Sequence, residues 1–354
     1  MYRTARITGF RGIRDATVTD LARVNVVVGG AGTGKTALLE ALFLHGGTAD
    51  PRLVHATLGL RGVARSSTAV HGVVRAWDGL FHDRVSSAPV EIDAPWDGVS
   101  RITRIERTRA DSVEVVTAEG PRVVPVASTL QVELVDGGVS STHRMHLLRD
   151  GSPILVPPPP EPRFHGRMAS PTGTVASEEY AQLWSQAEAS GDLRPTLEIL
   201  ARLAGGALPK VRIAVDPDAR PFLGITLPGG AEASHPSELG MGFARALADL
   251  LYVATNPGGA LFLDEYDNSV HAAALPELAR GVVDAAVAAN VQLFVTTHRL
   301  EGVDAFLTAC VGRSELLRVV QARRGPSGAA YETWTHAEAV EARDVQAFDL
   351  RMTR

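Results

Sequence analysis

The chain has 354 residues, 45% hydrophobic and 21% charged, with a formal net charge of −5. That balance excludes wholesale disorder, and no apolar run reaches the ~18–20 residues of a bilayer span. The longest run, near residues 250–263, is broken by Asn256, Pro257, Gly258 and Gly259. The opening MYRTARITGF has no apolar core ahead of a cleavage site, and Cys310 is the single cysteine. A soluble cytoplasmic protein without disulfides or membrane association is the expectation.

In chain order, 3–10 alternates as a half-buried strand, with a turn and second strand behind it. The β-branched run 24–28 reads as a strand covered on both faces. Residues 29–34 form a glycine loop, 36–44 an apolar helix, and 48–85 mixed helical pieces. From 89 to about 148, alternating segments separated by glycine turns predict an antiparallel meander. Pro157 to Pro160 predict an extended surface loop. Helices are expected at 177–190 and 193–203, and strands at 211–215 and 222–227. The last third then alternates: helix 239–254, strand 260–263, helix 272–289, strand 291–296, helix 300–309, and terminal strands at 315–324 and 330–334. Such alternation implies an α/β fold with a mostly parallel core sheet. The organisation expected is an N-terminal lobe at 1–85, an inserted antiparallel β-rich region at 86–170, and a C-terminal part at 171–354.

The chemistry concentrates at the ends of predicted strands. Gly29, Gly30, Ala31, Gly32, Thr33, Gly34, Lys35 and Thr36 match G-x-x-x-x-G-K-[ST] in full, between a strand and a helix. The loop's N–H groups can form an anion nest, Lys35 can reach β- and γ-phosphates, and Thr36 offers Mg²⁺ a hydroxyl. Only Lys35 and Lys210 are lysines among 35 basic residues, so a drift toward arginine has spared position 35. Asp264 and Glu265 end an apolar strand; Asp264 suits a place in the Mg²⁺ shell, and Glu265 a base that polarises water. His298 ends the next apolar strand and is a candidate γ-phosphate sensor. Arg101, Arg104, Arg107 and Arg109 could form a cationic edge, but their strand parity is mixed and Glu106 and Asp111 dilute it; a solvated strand is the better reading.

These elements, in this order, resemble the ABC-type ATPase heads of the RecF/SMC-like group, and more closely the bacterial AAA-family ATPases related to OLD (overcoming lysogenization defect) proteins. The stretch from Ile7 to Ile13 resembles that group's opening strand and turn, and Leu38 to Leu42 continue its phosphate-loop helix. Ser237 to Arg245 resemble its signature segment, Asp264 to His271 its acidic strand end, and Thr296 to Glu301 with Asp304 to Phe306 its histidine switch. The resemblance implies a P-loop NTPase with a helical signature subdomain, binding ATP and Mg²⁺. Ser237, Gly240 and Gly242 would then cap the nucleotide of a second copy, in a homodimer or higher oligomer. It further implies a separately encoded effector protein, a nuclease or toxin, as partner, in anti-phage defence or a related stress system, and leaves nucleic acid open as a partner.

Ala31 stands where the family usually has Asn, and Met241 where relatives often have a polar residue. No glutamine falls between Thr36 and Gln131 to link nucleotide and lever arm; His82 or Asp83 are candidates for its place. The residues after His298 read as completing the ATPase sheet rather than building a Toprim nuclease, so no intrinsic nuclease is expected. No long heptad pattern indicates a coiled-coil arm. A nucleotide-gated scaffold with little hydrolysis stays open as the alternative. An ABC transporter subunit or DNA-repair ATPase is disfavoured, and a GTPase lacks its Asn-Lys-x-Asp segment.

Overall fold

The computed structural model describes residues 1–46, 50–60, 70–117, 120–149, 152–156, 166–169, 175–191, 193–268, 270–325, 328–344 and 349. The proline run 157–160 lies outside them. In chain order the elements are β1 (Ala5–Phe10), β2 (Ile13–Val18), β3 (Val24–Val28), α1 (Lys35–Gly46), α2 (Pro51–Leu60) and α3 (Val70–Asp78). There follow β4 (Val90–Asp93), β5 (Arg101–Thr108), β6 (Ser112–Thr117), β7 (Gly120–Asp136), β8 (Val139–Leu148), β9 (Pro153–Val156) and β10 (Gly166–Ala169). Then come α4 (Ser177–Ser190), α5 (Arg194–Leu203), β11 (Lys210–Val215), β12 (Pro221–Thr226), β13 (Glu232–Ala233) and α6 (Met241–Ala254). The chain continues through β14 (Ala260–Leu263), α7 (Leu275–Ala288), β15 (Gln292–Thr296), α8 (Leu300–Ala309), β16 (Leu317–Gly325), β17 (Gly328–Thr335) and α9 (His336–Asp344). No helix among the described residues is long and apolar enough to cross a membrane.

Backbone proximity divides the chain into two units that interleave in sequence. The first comprises Met1–Asp20, Ala31–Phe164 and Ala322–Glu332; the second comprises Leu21–Gly30, His165–Gln321 and Thr333–Arg354. The three consecutive parts expected from the sequence are cut on other grounds: they follow shifts in pattern along the chain, whereas these units follow proximity of the folded backbone.

In the first unit β1 and β2 form a hairpin, β4 adds to β1, and β5, β7, β8 and β9 continue as an antiparallel meander. β7 serves two partners. Its first half, from Gly120 to Pro125, pairs β6, and Thr129 to Asp136 pair β5. Opposite β8 the register shifts between Val126 and Ser128. Helix α1 packs on β1 and β4. It is buried along nearly its whole length, from Ala37 to Gly46, so its sequence shows no polar face. Its last turn is tied down by His45, whose ring nitrogens lie 2.9 Å from Thr103 Oγ1 and 2.8 Å from the Ala94 carbonyl. Burial pushes the His45 pKa down to about 3, so the ring stays neutral.

The arginines of β5 are spent inside this unit. Arg101 is almost fully buried and pairs with Asp136 at 2.9 Å, while its Nε donates to the His45 carbonyl. Arg104 lies between Glu91 and Glu133, and Arg107 pairs with Asp78. Only Arg109 of the four is exposed. β5 is therefore neither a cationic edge nor a simple solvated strand, because carboxylates of neighbouring strands and of α3 hold its guanidinium groups.

The core of the second unit is a parallel sheet in the order β10, β14, β15, β3, β16. β3, β14 and β15 are buried at every position, as their unbroken apolar runs require. Phe262 of β14 stacks on Phe294 of β15 with ring centroids 5.2 Å apart. Helices α6, α7 and α8 bury apolar faces in the same cluster, with α4 and α5 completing it. β10 was not expected: Gly166–Ala169 is too short and mixed to announce a strand, and it forms because Gly166 to Ala169 pair in parallel register with Ala260 to Leu263. A separate three-stranded sheet, β11-β12-β13, lies against α4.

One polar residue interrupts β3. Asn25 is fully buried, and its amide satisfies the chain on both sides. Nδ2 donates to the carbonyls of Ala22 (2.8 Å) and Leu293 (3.1 Å), while Oδ1 accepts from the Ala22 N–H (2.9 Å). Replacing Asn25 with Ala leaves these buried groups without their partner. We expect a loss of about 2–4 kcal/mol of stability, read as a lowered urea midpoint with unchanged m-value.

Candidate functional site

Within the second unit three chain segments leave the same edge of the parallel sheet. β3 ends at Val28 and continues into Gly29 and Gly30; β14 ends at Leu263 and continues into Asp264 and Glu265; β15 ends at Thr296 and continues into Thr297 and His298. Parallel register makes this a shared edge, since Leu263 is opposite Val295 and Thr296 is opposite Val27. Ligands of open α/β sheets gather at the carboxyl ends of the strands.

From Gly30 the chain passes through Ala31 to Gly34 and enters α1 at Lys35. Gly34 takes φ +102, a conformation that disfavours a side chain, and space forbids one as well. A Cβ there would stand 2.7 Å from Ala329 Cβ and 3.0 Å from Tyr331 Oη. The Gly34 carbonyl accepts the first helical bond from the Leu38 N–H at 2.9 Å, so Gly34 is the N-cap of α1. The first turn of α1 holds no acidic residue, so no carboxylate of its own competes for the positive helix end. Lys35 is 5% exposed and Thr36 is half-buried. The cradle fits a phosphate chain: its crowded glycine admits only backbone. Thr36 in the first unit and Asp264 in the second are each oxygen donors of the kind Mg²⁺ prefers.

The acidic pair is shaped by a residue that sequence reading treated only as part of a strand. The buried Thr296 hydroxyl donates to Asp264 Oδ1 at 2.6 Å and accepts the Glu265 N–H at 2.8 Å. The Thr296 carbonyl accepts the Tyr266 N–H at 3.0 Å. Asp264 is 3% exposed, whereas the Glu265 side chain is 37% exposed. One carboxylate is thus fixed and sheltered, and the other reaches solvent. Glu265 also has φ +49, a strained choice for a non-glycine residue, which the Thr296 hydrogen bonds hold in place. Its carboxylate accepts from Asn268 Nδ2, and its Oε1 lies 3.6 Å from His298 Nε2. His298 and Glu265 are therefore neighbours, as their shared sheet edge suggested.

The signature residues sit at the start of α6. Gly240 is its N-cap with φ +109, Gly242 lies in its first turn, and Met241 is 38% exposed. Ser237 lies in the preceding 3₁₀ turn, where its Oγ is 2.6 Å from His235 Nδ1. His235 Nδ1 also accepts the Ser237 N–H, and Nε2 faces the Val175 carbonyl at 3.1 Å. Glu238 closes the box by accepting from Ser234 and from the His235 N–H, and the Ser234 hydroxyl holds its carboxyl below the usual range. The Ser237 hydroxyl is thus engaged inside its own cap.

One further link joins α6 to the acidic strand end. Arg245 and Asp249, both buried, pair at 3.0 Å, and Arg245 also donates to the Asp264 carbonyl at 3.3 Å. Burial pushes the Asp249 carboxyl up, with Arg245 opposing it. The signal was available in the sequence: two opposite charges four residues apart on an otherwise apolar helix.

In the first unit, the candidates for the missing glutamine occupy a tight turn. His82 Nδ1 is 2.8 Å from the Arg11 carbonyl, and Asp83 and Arg84 both take positive φ (52° and 59°). Arg11 in turn pairs with Glu40 of α1 at 2.8 Å. The turn is therefore fastened to the end of β1, and Asp83 points largely into solvent.

No protein-family model matches the chain. Over 125 residues it is 27% identical to the DNA replication and repair protein RecF of Idiomarina loihiensis (strain ATCC BAA-735 / DSM 15497 / L2-TR), covering 33% of this chain and 34% of RecF. The chain thus spans about a third of the length of the curated relative it matches. Among solved structures it is similar to an SMC head bound to the C-winged helix domain of ScpA (12% identity, TM-score 0.49, 96% of this chain and 99% of that one). It is also similar to the SMC head domain from Thermotoga maritima (12%, TM-score 0.42, 94% and 98%). A third is the Smc head domain with an extended coiled coil bound to the C-terminal domain of ScpA derived from Pyrococcus furiosus (11%, TM-score 0.48, 98% and 99%). The α/β class and the strand–loop–helix order of the phosphate loop stand on the strands described above.

Replacing Thr296 with Val keeps the side-chain shape and removes the hydroxyl between Asp264 and Glu265. We expect a stability loss of about 1–3 kcal/mol by chemical denaturation, because a buried carboxylate and a part-buried N–H lose their shared partner.

Proposed function

We propose that this chain is an Mg²⁺-dependent ATPase of the RecF/SMC-like type. The observation that carries it is the single sheet edge from which the glycine loop, the Thr296-oriented Asp264, the exposed Glu265 and His298 all depart. In this reading Gly29 to Thr36 and Lys35 hold the phosphates. Thr36 and Asp264 would each offer Mg²⁺ an oxygen, and the ion when bound would supply charge neutralisation on the phosphate oxygens. Glu265 accepts a proton from water as its oxygen attacks the γ-phosphorus, and ADP leaves with the electrons of the broken P–O bond. His298, beside Glu265, donates to the γ-phosphate. The RecF match lends the reading support from a DNA replication and repair protein.

The finer parts of the proposal come from the resemblance of the sequence motifs. Two copies close on ATP, with Ser237, Gly240 and Gly242 of each capping the other's nucleotide, and hydrolysis gates assembly or release of a separately encoded effector in the cytoplasm, in anti-phage defence or a related stress system. A second reading, a nucleotide-gated scaffold with little turnover, is favoured by the Ser237 hydroxyl being taken by His235 and by the exposed Met241 at the signature.

Lys35→Ala should abolish ATP binding in calorimetry while the circular dichroism spectrum is retained; unchanged affinity would sink the nucleotide assignment. Glu265→Gln should still bind Mg·ATP but lose turnover, and its mass in light scattering should rise with ATP to that of a dimer. Negligible turnover in the wild type, with neither rate nor mass altered by Glu265→Gln, would instead select the scaffold.

A further inference from the structure

The phosphate loop has a second anchor, far from it in sequence. Tyr331, on β17, donates its hydroxyl to the Gly34 carbonyl at 2.9 Å. That carbonyl already accepts the Leu38 N–H at 2.9 Å, so both of its lone pairs are used. β17 is itself fixed, since the Ala329 N–H donates to the Gly12 carbonyl at 3.0 Å and Gly328 pairs with Ile13 of β2. The Tyr331 hydroxyl and Ala329 Cβ are also the atoms that leave no room for a side chain at Gly34.

A trans peptide is planar, with its C=O and N–H pointing in opposite directions. Fixing the Gly34 carbonyl toward Leu38 and Tyr331 therefore fixes the Lys35 N–H in the opposite direction, out of the start of α1. The N–H groups of a helix's first turn are those its N-terminus can offer an anion. Without the second anchor, the Gly34 carbonyl would keep the Leu38 bond and lose the Tyr331 one. Glycine at 34 would resist its rotation least of any residue.

We propose that Tyr331 is a positioning residue for the phosphate loop: its hydroxyl holds the Gly34–Lys35 peptide in the orientation that binds phosphate before any nucleotide arrives. The inference rests on the ATP reading above and adds to it a residue outside every motif. Burial pushes the Tyr331 phenol up, so the hydroxyl keeps its proton and remains a donor at neutral pH. Preorganisation of this kind is felt in affinity, because the loop then loses less freedom on binding.

The test is Tyr331→Phe, which keeps the ring against Gly34 and deletes only the donor. Calorimetric titration with Mg·ATP and, separately, with inorganic tripolyphosphate should show both binding about three- to tenfold more weakly than to wild type, the range one hydrogen bond supports. The shared factor locates the loss at the phosphates. The urea midpoint of the nucleotide-free protein should stay close to that of wild type. Equal affinities for wild type and Tyr331→Phe would overturn the inference while leaving the ATP reading intact. So would weaker binding accompanied by a proportionate fall in the nucleotide-free urea midpoint, which would make Tyr331 merely structural. Failure of the wild type itself to bind ATP would overturn the ATP reading, and the inference with it.

Discussion

The candidate site depends on β3 being a central strand, hydrogen-bonded in parallel to β15 on one side and β16 on the other. A strand in that position has no solvent face, which is why all five residues from Val24 to Val28 are buried and four are valine. It also cannot slip: Asn25 is fastened to Ala22 and Leu293, and a one-residue shift would bring a different side chain to that place. With β3 immobile, the point where the chain leaves the sheet at Gly29 is fixed. The same register brings Asp264 and His298 to that edge.

Beneath the edge lies polar chemistry that burial makes expensive and hydrogen bonding makes tolerable. Asp264, Asp267, Thr296, Arg245 and Asp249 are each at most 3% exposed. A buried ion pair such as Arg245–Asp249 is weak evidence for stability, since desolvation consumes most of its attraction. Its geometry accounts for its presence better than its energy does. Arg245 carries one hydrogen bond from the helix that begins at the signature glycines to the carbonyl of the residue that ends β14. Asp267, likewise buried, accepts the His298 N–H at 3.4 Å and faces Arg299 at 3.8 Å, so the loops after β14 and β15 are held to each other. Glu265 and His298 stand on this scaffold with their side chains 37% and 46% exposed. Reactive groups able to reach solvent are carried by a backbone that is not.

The meander of the first unit follows a different economy. Its strands carry arginines that a chain-level count would offer to an acidic partner, but Glu91, Glu133, Asp136 and Asp78 take them up. Charge in a strand says little about partners until its cross-strand neighbours are known.

Local patterns alone were enough for the glycine loop, its strand and helix, the acidic pair after an apolar strand, the histidine after the next one, and the alternation that forms the parallel sheet. Each is encoded within about ten residues, as spacing, period or turn chemistry, and folding preserved each as a local fact. What tertiary structure decided is which distant groups complete them. Tyr331 meets Gly34 across 297 positions, Thr296 meets Glu265 across 31, and β10 exists as a strand only because β14 offers it a parallel edge. Tyr331 sits in no motif, and its neighbours Tyr-Glu-Thr-Trp read only as an alternating strand. Its role comes from a hydroxyl brought within 2.9 Å of one carbonyl. Hydrogen bonds act over about 3 Å whatever the separation in sequence, so the partners of buried polar groups are fixed only when the chain has packed.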